Sequence, residues 1–418
     1  MTAPAAGTAS NPELSLSRLL DPAVLANPYP LYARLRREAP VHWDPFLHVW
    51  VVTRYADVLT VLHDFSARRS QPSENELHHL GLSELNPIAQ MMARQMLFLD
   101  PPAHGRLRGL AAKAFTPRRV ELLRDHIAAI VHRLIDQVAA AGRMDVIADF
   151  AAPLPAIVTA EMLGVPASDW SRLKGWSADY AEMLGNFQQN PDGVSRVLES
   201  VEAMTTYFRS AIREQEQQPR GLIGALLAAE EVGDRLTEDE IIANVIITMV
   251  GGQETTTNLI GNGLLTLLRH PDVLDRLRAD PSLIPSAVEE LLRFESPSQH
   301  TARIAPADVT MGDRTIARGQ GVVAVMAAGN RDPERFPDPD ALDVSRADNR
   351  HLAFGWAAHF CFGAPLARLE GQIAFSTLLS RLANLRLGAD RLAWRQNLGL
   401  RGLEALPVTF TPSTPVTA

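Results

Sequence analysis

The chain of 418 residues contains one cysteine, Cys361, within the run FGWAAHFCFG at positions 354–363. One cysteine excludes an intrachain disulfide and the multi-cysteine cages of structural zinc and iron–sulfur clusters. Pro365 follows in what reads as the first turn of a helix, and a sulfur at a helix N-terminus is stabilised as the thiolate. A lone thiolate in an apolar loop suits an axial ligand of haem iron. An inert buried cysteine is the alternative that the local residues leave open.

A second group of reactive residues lies in the run GGQETT at positions 251–256. Glu254 and Thr255 place an acid beside an alcohol, a pair that can pass protons to a reacting group. Two adjacent glycines in a helix interior cost about 1–2 kcal/mol relative to alanine, and a kink or bulge that opens a groove is one reason to have them. The same residues also allow Glu254 to be a buried ion-pair partner and the glycines to permit close helix packing.

The elements that must position these residues are mostly helical. Thr237 and Glu240 fit a capping box, and apolar periodicity continues from there to Arg269. This predicts a helix of roughly 50 Å at about 1.5 Å per residue, long enough to cross the core. For residues 70–98 the sequence pattern predicts no regular secondary structure. Strand-like runs lie at 49–53, 309–311 and 321–325.

The composition limits the possible classes of protein. Hydrophobic residues make up 46% of the chain, which supplies a large core and excludes general disorder. The formal net charge of −8 argues against nucleic acid as a partner. The most apolar stretch, 241–252, is too short for a membrane span, and no signal peptide is evident. We therefore expect a soluble, cytoplasmic, monomeric protein with no membrane partner, mainly α with a minor β portion.

The cysteine run resembles the loop FGxGxHxCxG of the cytochrome P450 family, with Ala357 in place of the second glycine. The run 251–256 resembles the family's oxygen-activation motif (A/G)Gx(D/E)TT at every specified position. The resemblance spans about residues 25 to 410. It implies a single cytochrome P450 fold, with haem b between the long central helix and the helix that follows the cysteine loop. The expected boundaries are a tail at 1–15, a catalytic domain at 16–410 and a tail at 411–418.

The resemblance also implies a role for individual residues. Cys361 is the expected iron ligand, and Gly251 and Phe354 are expected to border the haem. Glu254 and Thr255 are the expected proton relay. The expected partners of the haem propionates are His104, Arg108, Arg303 and His359. A structural triad that corresponds to the family's ExxR motif and its meander arginine is expected at Glu290, Arg293 and Arg346.

By the same analogy, a mostly apolar substrate pocket takes residues from four segments of the chain. These are the central helix, the segment after the ExxR helix, a stretch near the C-terminus and the methionine-rich stretch at residues 91–96. The expected pocket residues are Ile247, Val250, Gln299, His300, Leu400, Met91, Met92 and Met96. Lids are predicted within 70–98 and around 170–187.

The function that the resemblance implies is insertion of one oxygen atom from O2 into a small to medium, mostly apolar organic substrate, with secondary metabolism as a candidate setting. No electron-transfer module is evident in the chain, so electrons are expected from a separate ferredoxin or flavodoxin on the proximal face. The basic residues considered for docking are Arg106, Lys113, Arg118, Arg119 and Arg350. Two alternatives are a peroxide-driven peroxygenase and a non-enzymatic haem sensor or carrier. The acid–alcohol pair favours the monooxygenase.

Overall fold

The structure, a computed structural model, describes residues 12–69, 83–112, 115–185, 191–228, 230–231 and 234–414. It confirms the predicted mainly helical fold with a minor β portion. The α-helices are α1 (Pro22–Ala26), α2 (Tyr29–Glu38), α3 (Tyr55–Asp64), α4 (Asn86–Arg94), α5 (Ala103–Ala112), α6 (Pro117–Glu121), α7 (Arg124–Ala139), α8 (Pro153–Leu163), α9 (Trp170–Gly185), α10 (Pro191–Gln215), α11 (Gly221–Leu227), α12 (Glu238–Arg269), α13 (Pro271–Ala279), α14 (Ile284–Phe294), α15 (Met326–Gly329) and α16 (Ala364–Arg381). The strands are β1 (Val41–Asp44), β2 (Val49–Val52), β3 (Arg143–Asp145), β4 (Glu230–Glu231), β5 (Asp234–Arg235), β6 (Thr301–Ile304), β7 (Val309–Met311), β8 (Arg314–Ile316), β9 (Gly321–Ala324), β10 (Arg386–Leu387) and β11 (Pro407–Thr409).

The largest sheet has four strands in the order β1-β2-β9-β6. The hairpin β1-β2 is antiparallel, β2 pairs parallel with β9, and β6 pairs antiparallel with β9. A second, smaller apolar core that includes Trp50 and Val322 packs around this sheet. Thr301 and Arg303 are two residues apart on β6, so their side chains leave the same face of the sheet.

Helix α12 crosses the main core, and its bounds agree with the prediction. The Thr237 hydroxyl accepts from the backbone N–H of Glu240 at 3.2 Å, and the Glu240 carboxylate accepts from the N–H of Thr237 at 2.9 Å. The capping box is therefore complete. The helix is buried along most of its length and packs against α8, α9, α10 and α16. Among the described helices, none has both the length and the apolar character needed to cross a membrane.

The glycine pair in α12 forms no bulge, because every residue from Glu238 to Arg269 is α-helical. The two glycines act through their missing side chains instead. A Cβ at Gly252 would lie 2.9 Å from the Thr159 hydroxyl of α8, so this glycine permits close helix packing. A Cβ at Gly251 would meet nothing within 4 Å. The groove at Gly251 is thus open space beside a regular helix.

The described chain extends beyond the expected domain boundaries at 16 and 410. Pro12–Leu14 forms a 3-10 turn, and the Ser15 hydroxyl donates to Asp44 at 2.9 Å. At the other end, the backbone N–H groups of Thr411 and Ser413 donate to the carbonyl groups of Ala383 and Ala139. The prediction for 70–98 is also corrected in part: residues 70–82 lie outside the described residues, but α4 occupies 86–94 and is amphipathic.

The expected triad of Glu290, Arg293 and Arg346 is assembled in the structure. Glu290 and Arg293 are both fully buried and form two hydrogen bonds, of 2.7 and 2.8 Å. The Arg346 Nε lies 3.3 Å from the Glu290 carboxylate, and Asn349 donates to the same carboxylate at 3.0 Å. Arg293 also donates to the backbone carbonyl of Asn330 at 3.0 Å. These bonds join α14 to the irregular chain that leads to the cysteine loop.

We predict that Glu290→Gln strongly destabilises the protein, since it leaves the buried Arg293 without its counter-charge. The expected loss is about 3–5 kcal/mol in the free energy of unfolding. Denaturant titration of the soluble protein measures this loss, and the yield of folded protein reports a complete failure to fold. The control is Glu38→Gln, which removes a carboxylate from an exposed ion pair and is expected to leave stability unchanged. Equal stabilities of the two variants would contradict the assigned role of Glu290.

Candidate active site

The loop that presents Cys361 is held by backbone geometry. The N–H of Cys361 donates to the carbonyl of Phe354 at 2.8 Å, which closes the loop on itself. Gly355 has φ of 70°, and Ala357 has φ of 57°, both in the left-handed region. A side chain in that region costs about 1–2 kcal/mol. The loop thus keeps a conformation suited to glycine although position 357 carries alanine.

The Cys361 sulfur lies at the N-terminal end of α16. Burial raises the pKa of the Cys361 thiol, and the backbone N–H groups of Gly363 and Ala364, together with Arg108, oppose that rise. The donors favour the thiolate but do not outweigh burial, so a bound metal cation is what would deprotonate this sulfur fully. Within the described residues, no group of three or more histidine, cysteine, aspartate or glutamate side chains is arranged to hold a metal. Cys361 therefore suits a metal whose other ligands come from a macrocycle.

Basic side chains surround the loop. Arg108 of α5 donates to the carbonyl of Phe360, and the rings of His104 and His359 lie 4.1 Å apart. Burial, followed by the charge of Arg303, lowers the pKa of His359 to about 3. Burial also lowers the pKa of Arg303 to about 10. The Nε of Arg303 and the Nε2 of His359 are buried without a hydrogen-bond partner, so this cluster lacks an acceptor.

Thr255 and Gly251 face each other across one turn of α12. The Thr255 hydroxyl donates to the Gly251 carbonyl at 2.7 Å, and both residues are at least partly exposed on this side of the helix. An alcohol therefore borders the open space beside Gly251. Its proton is held by the helix backbone in this arrangement.

Glu254 points to the other side of the helix and is 1% exposed. Its carboxylate accepts from Lys174 of α9, from Arg395 at 2.7 Å and from Ser177 at 3.3 Å. Burial alone would raise the pKa of Glu254, but Lys174 and Arg395 outweigh that effect and hold it below its usual value. The geometry therefore matches the ion-pair interpretation that the sequence left open. Its role as a proton source stays a prediction.

Arg395 is positioned by the C-terminal segment. Its N–H donates to the carbonyl of Gly402 at 3.0 Å, and Trp394 pairs with Leu403. Gly402 lies directly against α12, where an added Cβ would be 1.9 Å from the Asn258 Oδ1. The missing side chain at Gly402 thus sets how closely this segment approaches the central helix.

Comparison with known proteins decides the family. The sequence model described as "Cytochrome P450" matches residues 44–384. The chain belongs to the cytochrome P450 family. It is 41% identical over 413 residues to the cytochrome P450 monooxygenase PikC of Streptomyces venezuelae, covering 96% of this chain and 95% of that one. Members of the family are haem oxidoreductases, so the cofactor is haem b and this chain is a cytochrome P450 monooxygenase.

Two solved structures are similar over nearly the whole chain. P450BioI in complex with an acyl carrier protein that carries hexadec-9Z-enoic acid has a TM-score of 0.86 and 38% identity, covering 93% of this chain and 99% of that chain. The myxobacterial CYP267B1 in complex with myristic acid has a TM-score of 0.86 and 40% identity, covering 94% and 99%. The single cytochrome P450 fold is therefore confirmed.

The residues present fit haem. Cys361 offers one sulfur, and nitrogen atoms of Arg303 and His359 are buried without a hydrogen-bond partner. The two haem propionates would give these atoms carboxylate partners. His104 lies beside His359, whereas Arg108 donates to the Phe360 carbonyl, and its role toward a propionate stays a prediction. Phe354 is partly buried beside the loop, with the Arg368 guanidinium 4.6 Å from its ring centre.

The expected pocket residues of this P450 differ in how well their contacts suit substrate binding. Ile247 and Val250 are buried on α12, within about one turn of Gly251. Gln299 is used internally, because its amide accepts from Tyr32 at 3.0 Å and donates to Ser296 at 2.6 Å. Burial, followed by the charge of Arg69, lowers the pKa of His300 to about 4. Met91 and Met96 are buried, whereas Met92 and Leu400 are partly exposed.

Sequence reasoning missed the cationic partners of Glu254. Lys174 and Arg395 are 80 and 141 residues away from it along the chain. Neither residue stands in a motif, so nothing local in the sequence marks them. A buried acid in a long apolar helix requires a counter-charge. That requirement predicts a cation but not its position.

We predict that Cys361→Ser abolishes the red-shifted absorption band of the reduced carbon monoxide complex, because serine removes the thiolate ligand. The spectrum of the dithionite-reduced, carbon monoxide-treated protein measures this. Ala357→Gly is the matched control in the same loop. It preserves the sulfur, and it removes the strain of a side chain at positive φ. It should retain the band. Survival of the band in Cys361→Ser would refute the ligand assignment.

Proposed function

We propose that this cytochrome P450 monooxygenase inserts one oxygen atom from O2 into a C–H or C=C bond of a small to medium, mostly apolar substrate, with electrons from a separate ferredoxin. The observation that carries the proposal is the arrangement on α12. The Thr255 hydroxyl borders the open space at Gly251, and the adjacent Glu254 is a buried carboxylate bound to two cations. Reductive O–O cleavage needs protons, and this pair can deliver them.

Haem iron supplies the activation of O2, and a thiolate ligand favours O–O cleavage by pushing electron density toward the iron. The protein contributes position and protons. Cys361 would ligate the iron, and Arg303, His104 and His359 would hold the propionates. Thr255 presents its hydroxyl beside the open space at Gly251, and this hydroxyl must leave the Gly251 carbonyl before it can donate elsewhere.

Glu254 has to change partners to move a proton. With Lys174 and Arg395 both bound, its pKa is low and the carboxylate does not hold a proton near neutral pH. Withdrawal of either cation would raise the pKa of Glu254 from this low value, because one of the two charges that oppose the effect of burial is removed. The carboxyl group then takes up a proton from solvent and passes it toward Thr255. Lys174 lies on α9 and is 15% exposed, so it connects this step to the surface.

The ferredoxin docks on the side of Cys361. Helix α6, which carries the exposed Arg118 and Arg119, packs against α16, the helix that begins after the cysteine loop. Arg350 is 78% exposed and lies in the chain that leads to the loop. An acidic ferredoxin complements these charges. Arg106 is paired with Glu240 and is not proposed for docking, and Lys113 lies outside the described residues.

Acyl chains are the first substrate class to test. Two similar structures hold an acyl group, one on a carrier protein and one as free myristic acid, and each is at least 38% identical to this chain. Ile247 and Val250 offer the aliphatic wall that such a chain requires.

The test of the proposed function is turnover with ferredoxin, ferredoxin reductase and NADPH, compared with hydrogen peroxide alone. Myristic acid is the probe, and incorporation of label from isotopic O2 is measured by mass spectrometry. Labelled product with the ferredoxin system is the expected result. Product with peroxide alone would support the peroxygenase, and haem binding without product in either system would support a sensor or carrier.

We predict that Thr255→Ala retains haem and substrate binding but lowers product formed per NADPH by about tenfold or more, with hydrogen peroxide released instead. Loss of the hydroxyl removes the last proton donor beside the open space at Gly251. The matched control is Thr255→Ser, which retains a hydroxyl and should restore coupling. Unchanged coupling in Thr255→Ala would refute the relay.

A further inference from the structure

Arg69 lies at the edge of the four-stranded sheet, in a segment whose backbone is fixed. Ser66 and Ile304 exchange two backbone hydrogen bonds, of 3.0 and 2.9 Å, so the chain after Ser66 runs antiparallel to β6. Asp100 accepts from the Ser66 hydroxyl and from the N–H of Ala67. Arg69 is thereby placed opposite the start of β6.

The guanidinium of Arg69 is turned inward but meets no acid. It donates to the Thr301 hydroxyl at 3.1 Å and lies 4.8 Å from the centre of the Phe98 ring. Its Nε is buried and has no hydrogen-bond partner. Among the described residues, no carboxylate forms an ion pair with it.

Other buried arginines of this chain show what is missing. Arg293 has Glu290, Arg401 has Glu295, and Arg331 has Asp340 at 2.9 Å, and each also donates to backbone carbonyl groups. Arg69 is partly exposed, but its Nε is buried, and a guanidinium withdrawn from water without a carboxylate is costly. The environment of Arg69 therefore resembles a binding site more than a structural ion pair.

A second cation reinforces this conclusion. Arg303 donates to the same Thr301 hydroxyl at 3.0 Å, and its Nε is also buried without a partner. Burial and the charge of Arg303 lower the pKa of Arg69 to about 9. The two guanidinium groups donate to the same hydroxyl and repel each other. An anion bound between them would replace this repulsion with attraction to both groups.

We propose that Arg69 and Arg303, with the Thr301 hydroxyl between them, form a binding site for one carboxylate. Planar guanidinium groups suit a carboxylate because they offer parallel N–H donors. Two molecules carry this chemistry here: haem, through a propionate, and an acyl substrate, through its free acid. The propionate partners expected from the resemblance do not include Arg69. The substrate source rests on the proposed function, whereas the haem source does not.

The experiment compares Arg69→Gln with Arg68→Ala. Arg68 is the exposed neighbour, so its replacement removes the same charge from the same segment without touching the site. The first measurement is the rate of haem loss to excess apomyoglobin. The second is the dissociation constant for myristic acid and for methyl myristate, followed by the haem spin state. Arg69→Lys, which keeps the charge but not the planar fork, should fall between wild type and Arg69→Gln.

A propionate ligand predicts that Arg69→Gln loses haem at least about tenfold faster than Arg68→Ala, with the acid-to-ester preference unchanged. A substrate ligand predicts that Arg69→Gln weakens myristic acid about tenfold or more, with the ester and the rate of haem loss unchanged. Either result supports the site and names its ligand. If Arg69→Gln matches Arg68→Ala in both measurements, the proposal is wrong.

The outcomes separate this site from the proposed function. If wild type binds neither the acid nor the ester, the proposed acyl substrate fails, and the rate of haem loss by itself decides the role of Arg69. If Arg69→Gln does not fold, the same two measurements are made on Arg69→Lys. This variant keeps the positive charge but loses the planar guanidinium group. An effect of Arg69→Lys equal to that of Arg68→Ala would then overturn the site.

Discussion

The burial of Glu290 with Arg293 is the constraint on which the position of Cys361 depends. Both charges are removed from water, so each tolerates only the geometry in which the other satisfies it. The pair fixes the chain before the cysteine loop, because Arg346 and Asn349 bond to the same carboxylate.

The neighbouring residue fixes the other side of the loop. Glu289 accepts from Arg368 of α16 at 2.7 and 2.8 Å and also contacts His351. These partners lower the pKa of Glu289 to about 2. Two consecutive acids of α14 therefore hold the chain on both sides of Cys361, and the sulfur is located by ion pairs that it does not contact.

Charge is balanced differently on the two sides of the site. Glu254 brings one negative charge into the core and meets two cations, whereas Arg303, Arg108 and Arg69 bring positive charge with little acid beside them. The carboxylates of haem would offset this positive charge. Haem binding and folding are therefore expected to be coupled, because the bound group relieves repulsion that the polypeptide alone retains.

Much of the site could be predicted because its residues lie in short motifs. The chemistry of Cys361, the adjacency of Glu254 and Thr255, and the spacing of Glu290 and Arg293 are all local properties. The structure assembles Glu290 and Arg293 with Arg346, whereas the roles of Cys361, Glu254 and Thr255 stay predictions. Helix α12 was predictable for the same reason, because its capping box and its apolar periodicity are both patterns of residues close together in the sequence. The sequence could not decide between a kink or bulge and close packing at Gly251 and Gly252, because it shows that glycine occurs but not which neighbour approaches it.

What the sequence did not reveal depends on contacts between distant segments. Gln299 looks like a polar pocket residue until Tyr32 and Ser296 occupy its amide. Arg69 looks like an ordinary surface charge until β6 brings Thr301 against it. Both outcomes require the tertiary fold, so no local pattern carries them.

Gly402 has a consequence for how this protein can vary. Any side chain there would force Asn258 aside or push the C-terminal segment away from α12. Because the carbonyl of Gly402 holds the backbone of Arg395, such a shift would withdraw a guanidinium from Glu254 without altering any charged residue. Substitution of an uncharged residue can thus change the charges that surround Glu254 on the central helix. Directed evolution that diversifies the C-terminal loop to change substrate range would alter proton supply as a side effect wherever it replaces this glycine.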